Sequence, residues 1–124
     1  MTTRRARVVR FEDADWRSLP GHVDAFSKLL VHPTNADTTD MDFRVSTYRP
    51  RGYAEVHTHG KAEHVYYVVR GTGAIVLDGE RHLAGPNTTI HVPPGVSHGI
   101  VNTGLDDLVL VVVSVPAADM PAVA

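Results

Sequence analysis

The stretch HTHGKAEHVYYVVRG, residues 57–71, decides how this chain is read. Its first eight residues hold three histidines and one glutamate, and a run of β-branched and aromatic residues follows, closed by a glycine. VYYVVR has the composition of a β-strand. Side chains two apart on a strand share a face, so His57 and His59 aim the same way if the strand before them persists through Thr58. After the turn at Gly60-Lys61, Glu63 and His64 stand together at the start of the next strand. Alternation sends them to opposite faces, so only one of them can join His57 and His59 in a metal site.

The same pattern extends outward on both sides. Strands are expected at 26–31, 42–48, 54–57, 65–70, 74–77, 89–92, 98–101 and 108–115, separated by Gly, Pro, Asn and Asp. Asp78-Gly79 is a two-residue hairpin signal, and Pro93-Pro94-Gly95 and Asn102-Thr103-Gly104 force turns. Short strands at this spacing predict an all-β sandwich or barrel. Only 13–30 has room for helix, and Pro20-Gly21 limits it to one or two short turns. The expected organisation is an N-terminal arm with a first strand over 1–40, a barrel over 41–115 and a tail over 116–124.

Composition narrows the function classes. A chain of 124 residues suits one domain. With no cysteine, disulfides, thiolate metal sites and cysteine nucleophiles are excluded. The net charge of −2 gives no sign of nucleic-acid binding. Arg4, Arg5, Arg7 and Arg10 are followed at once by Glu12, Asp13 and Asp15, which reads as a solvated arm. The basic start runs into RFEDADW, so no secretory leader is expected. The longest apolar run, LVLVVVSV at 108–115, is far short of the ~20 residues of a membrane helix. The expectation is a cytoplasmic protein with neither nucleic-acid nor membrane partners. No serine nucleophile elbow, phosphate loop or zinc-finger spacing is present.

Two strands, 65–70 and 108–115, are apolar on both faces, whereas a half-buried strand alternates. One small barrel has a single inside, so the outside needs cover from the arm, from a second subunit or from both. A homodimer is therefore expected, and Trp16 is expected to cover apolar surface.

The second informative stretch is PPGVSHGIVN, residues 93–102. A Pro-Gly turn fixes the start of a strand and places His98 three residues after Gly95. With this stretch and 57–71 together, the chain resembles the cupin superfamily, small barrels of the double-stranded β-helix type. The family's first motif is G-x5-H-x-H-x(3,4)-E-x6-G and its second G-x5-P-x-G-x2-H-x3-N. Here H-x-H falls on His57 and His59, the closing glycine on Gly71, and P-x-G-x2-H-x3-N on Pro93, Gly95, His98 and Asn102. The chain departs from the pattern at three places. Arg51 and Asn87 stand where the two opening glycines belong; asparagine tolerates the left-handed backbone better than most residues. With six residues between it and Gly71, the family's glutamate position is occupied by His64. Counting from His59 with a three-residue gap would select Glu63 instead, but that count crosses a turn, where length varies cheaply. The count from Gly71 follows a continuous strand, where one residue of slip flips every side chain.

The resemblance thus implies a four-histidine metal site, His57, His59, His64 and His98, similar to that of some small manganese-binding cupins. The cofactor expected is a divalent transition metal, Mn or Fe first, with Ni, Co, Zn or Cu as alternatives. Neutral imidazoles leave the ion's charge uncompensated, which favours hydroxide or an anionic substrate. Tyr66 and Val68 share the face of His64, and Ile100 and Asn102 that of His98, so these four are candidates to line a substrate pocket. His91 is a candidate to line it or to supply a base, against the alternative of a packed or surface histidine. His22, His32 and His82 receive no role. The functional expectation is a metal-dependent enzyme on a small apolar or aromatic molecule, leaning to dioxygenase or oxidoreductase chemistry. The alternatives are a metal-dependent isomerase, decarboxylase or lyase, and a non-catalytic small-ligand binder.

Overall fold

The structure, a computed structural model, describes residues 3–117. From residue 118 on, the expected tail lies outside the described residues. One 3-10 turn, Phe11–Asp13, precedes eight strands: β1 (His22–Val31), β2 (Asp42–His57), β3 (Glu63–Arg70), β4 (Gly73–Leu77), β5 (Glu80–Ala84), β6 (Thr89–Val92), β7 (His98–Asn102) and β8 (Leu108–Val115). All pairings are antiparallel, in the order β5-β4-β7-β2-β8-β3-β6 with β1 added to β2. The sheet curls around one interior in the cupin manner. Among the described residues, no helix is long and apolar enough to cross a membrane.

The alternation read from sequence sets the inside of β3. His64, Tyr66 and Val68 are buried while Glu63, Val65 and Tyr67 face out. Strand β8 alternates in the same way, with Leu108, Leu110, Val112 and Ser114 buried. Val68, Ile75, Val92, Leu108 and Leu110 form the fully enclosed part of the core. The β4–β5 hairpin turns at Asp78 (φ 47°) and Gly79 (φ 82°). Both residues are left-handed, as a two-residue turn matched to strand twist requires.

Two expectations are corrected. The strands expected at 42–48 and 54–57 are one sixteen-residue strand, β2. Its first part pairs with β8 and its last part with β7, while β1 runs along both parts and takes up the irregularity at Pro50-Arg51-Gly52 in a register shift between Val23 and Ala25. The helical turn expected within 13–30 is instead the 3-10 turn at Phe11–Asp13 followed by β1, which pairs along β2 from Phe43 to Ala54. Pairing with a distant strand overrides local propensity here.

The arm is fastened to β1. Arg17 and Ser27 exchange both backbone hydrogen bonds. The buried Lys28 donates from Nζ to the Phe11 carbonyl at 2.8 Å and lies 4.0 Å over the Phe11 ring and 4.9 Å from that of Trp16. Trp16 thus packs on Phe11 and Lys28 and keeps one side in solvent.

Candidate metal centre

Three segments bring four imidazoles together inside the barrel. His57 ends β2, and His59 follows just beyond it. His64 opens the inner face of β3, and His98 starts β7 directly opposite His57. The strand does not persist through Thr58, yet His59 is still buried. Its segment is held by the Pro-Gly turn, since Gly95 N–H donates to the His59 carbonyl at 2.9 Å. The ligand nitrogens of His57, His59 and His98 lie within 4.8 Å of one another, so these three could hold a metal ion. The His64 ring stands 4.7 Å from that of His59 and 5.0 Å from that of His98, centroid to centroid.

The rings are oriented from behind. His57 Nδ1–H donates to the Glu55 carbonyl at 2.6 Å and His98 Nδ1–H to the Val96 carbonyl at 2.9 Å. His64 Nδ1 is 2.6 Å from Oγ of Ser114, its partner across the β3–β8 pair. A carbonyl can only accept, so His57 and His98 carry their proton on Nδ1 and present a bare Nε2. An outer hydrogen bond of this kind fixes tautomer and ring angle in metal-ligating histidines. Nε2 of His64 and of His98 is buried without a hydrogen-bond partner among the described residues. Such orphaned atoms are costly and call for an occupant.

Electrostatics keep His64 and His98 neutral. Burial pushes the His64 imidazole down to about 3, helped by repulsion from His98, His59 and Arg44. Burial also lowers His98, against the opposing pull of the Val96 carbonyl. Uncharged imidazole is the form that binds a cation.

A cavity of about 460 Å³ opens onto the histidines. His22, Arg44, Ser46, Tyr48, Ala54, Tyr66 and Val112 are among the residues that line it with His57, His59 and His64. Burial raises Tyr48 and pushes Tyr66 up to about 12, so both keep their phenolic protons.

Of the sequence-derived pocket candidates, Tyr66 alone lines this cavity. Val68 and Ile100 are buried in the core. Asn102 spends its amide on the Tyr48 and Asp106 carbonyls, both at 2.8 Å, and accepts from Gly104 N–H, which makes it a brace for the β7 end. His91 is exposed on the outer face, with Nε2 2.9 Å from Oε1 of Glu63. Glu63 therefore points away from the cluster. The cavity also holds residues that sequence reading passed over: His22, Arg44, Ser46 and Tyr48. A signal for three of them was present, because Asp42, Arg44, Ser46 and Tyr48 fall on one face of β2 by alternation. That face is polar, however, and polar faces are normally read as outward.

The curled sheet, the histidines at its centre and a match of residues 44–114 to the family profile described as Cupin domain (Cupin_2) establish that this chain belongs to the cupins. Among curated proteins, SchB of Streptomyces halstedii is 32% identical over 105 residues, covering 84% of this chain and 73% of SchB. The uncharacterized protein MJ1618 of Methanocaldococcus jannaschii is 34% identical over 61 residues, 49% of either chain, so that match spans about half the relative's length. Among solved structures, the polyketide cyclase RemF of Streptomyces resistomycificus superposes with a TM-score of 0.79 at 24% identity. That alignment covers 90% of this chain and 80% of RemF. KdgF from Halomonas sp. gives 0.77 at 21% identity over 90% and 94%. At these identities the structural likeness is one of fold.

Proposed function

We propose that this cupin is a metal-dependent enzyme acting on a small organic molecule, with His57, His59, His64 and His98 as the protein donors for Mn or Fe. The observation that carries the reading is the buried Nε2 atoms of His64 and His98, left without partners while each ring's Nδ1 is engaged behind. Four nitrogen donors suit a first-row transition metal better than Mg or Ca. When bound, the ion supplies Lewis acidity and, as Fe or Mn, a redox-active centre.

The chain's own residues set the rest. Leu19, Ala54 and Val112 give the cavity apolar walls, and Tyr48 and Tyr66 add aromatic faces with neutral hydroxyls. Such a lining excludes water and fits an apolar or aromatic body that carries oxygen functions. Nitrogen-rich donor sets with open positions favour dioxygenase or oxidoreductase chemistry. A second, non-redox reading as an isomerase, decarboxylase or lyase has its own support, since RemF, of the same fold, is a polyketide cyclase. We also propose that the protein works as a homodimer, supported by the exposed outer face of β3, where Val65, Tyr67 and Val69 are 36%, 39% and 48% exposed.

Elemental analysis of untagged protein tests the metal reading. Wild type is expected to carry Mn or Fe and His64→Ala to lose most of it; equal content in both removes His64 from the site. Oxygen uptake with small aromatic acids and diketones, compared with metal-stripped protein, then separates the chemistries. Turnover without oxygen consumption selects the non-redox reading, and metal without any turnover selects a binder.

A further inference from the structure

The inner face of β2 carries an ion pair where a barrel of this size would gain more from apolar packing. Arg44 and Asp42 are both buried, with side chains 9% and 2% exposed. Arg44 Nε is 3.7 Å from Asp42 Oδ1, too far for a hydrogen bond. Neither atom has a hydrogen-bond partner among the described residues. A buried pair made this loosely does not recover its desolvation cost, and well-packed apolar residues commonly serve stability as well or better. Arg44 also lines the cavity shared by His57, His59 and His64, and its charge acts on His22, Tyr48, His64 and Tyr66 of the same lining.

Charge defines what fits beside it. Burial keeps His22, His64, Tyr48 and Tyr66 of the lining uncharged, and Glu55, the lining carboxylate, is exposed. Arg44 is thus the protein's own buried full charge facing the cavity, with Asp42 beside it. Guanidinium presents parallel N–H donors that match the two oxygens of a planar carboxylate. Tyr48, Ala54, Tyr66 and Val112 leave apolar surface for the remainder of such a molecule.

We propose that Arg44 is a substrate-anchoring residue and that the cavity takes a small organic carboxylate, held by the Arg44 guanidinium with its apolar body among Tyr48, Tyr66 and Val112. The assignment rests on the enzyme reading only in that the molecule's other end faces the histidine cluster.

Calorimetric titration of Mn-loaded protein with benzoate and its uncharged isostere benzamide tests it, with Mn content measured on every sample. Wild type is expected to bind benzoate at least about tenfold more tightly than benzamide, and Arg44→Gln to lose most of that preference while keeping its Mn. Because Arg44→Gln leaves Asp42 buried alone, the double variant Asp42→Asn, Arg44→Met is measured beside it. That variant removes both charges and is expected to lose the preference equally. Equal binding of the two probes by wild type overturns the assignment, as does a benzoate preference that is undiminished in a folded Arg44 variant. An Arg44-dependent preference in a wild type that holds no Mn supports the anchor and sinks the metal reading.

Discussion

Ser114 shows how one hydroxyl can matter to a site it does not enter. It is fully buried on β8, directly across from His64, and its Oγ is 2.6 Å from His64 Nδ1. With Oγ accepting from Nδ1–H, the His64 ring is locked with Nε2 bare. Ser114→Ala removes the lock and leaves the donor in place. The expected result is a folded protein whose Mn affinity, measured by chelator competition, falls by about tenfold or more; unchanged affinity would show that packing alone sets the ring. At this scale the sequence was informative about which histidines converge and poor about their surroundings. His57, His59 and His98 were legible from their spacing, and His64 from its distance to Gly71. Ser114 was not, because fifty residues separate it from His64 and a serine in an apolar strand carries no mark of its partner. Arg44 was hidden for the opposite reason. Phe43 and Val45 beside it look like the buried face, yet they are the half-exposed ones, and the polar residues that alternate with them, Asp42, Arg44 and Ser46, are buried.

Among the elements, β3 joins the two halves of the molecule's chemistry. Its inner face carries His64 and Tyr66 toward the cavity, and its outer face presents Val65, Tyr67 and Val69 to solvent. Exposed apolar residues on consecutive outward positions make a stripe of the kind that subunits cover. Sedimentation velocity is expected to give a dimer for wild type and a monomer for the Val65→Lys, Val69→Lys double variant. A monomeric wild type ends the homodimer proposal. The register of β3 was readable because the glycine that ends it has a fixed task. Gly71 has φ 87°, and a Cβ there would meet the Asp107 carbonyl oxygen at 2.4 Å. The length of β2 was unreadable for the matching reason: Pro50 and Gly52 are residues that usually stop a strand. Here they mark the crossing from one partner strand to the next. β1 was only half legible, since its first residues, among them the cavity-lining His22, are fixed by pairing with Tyr53 and Ala54 some thirty residues on.

For the whole molecule, burying neutral imidazoles ties stability to pH. In metal-free protein His64 titrates near 3, against 6.5 for the free side chain. Above pH 6.5 both folded and unfolded chains hold it neutral, and the stability is fully present. Below 6.5 the unfolded chain takes up a proton that the folded chain refuses, so stability falls until the folded group itself protonates near 3. Such a group costs at most about 1.4 kcal/mol per pH unit over that window, and His98, lowered by its own burial, acts in the same direction. Thermal melts of metal-free protein are expected to fall steadily from pH 6.5 to 4; a flat profile would mean that these rings are hydrated in solution.

Arg51 and Asn87 carry a more general consequence. Both occupy positions where the cupin motifs call for glycine, and both take left-handed backbone, with φ of 70° and 67°. The barrel evidently asks for a sign of torsion at these two corners, and an amino acid only second. Substituents that meet the torsional demand at a modest steric penalty leave the bend intact, so the architecture outlives the letters by which it is usually spelled.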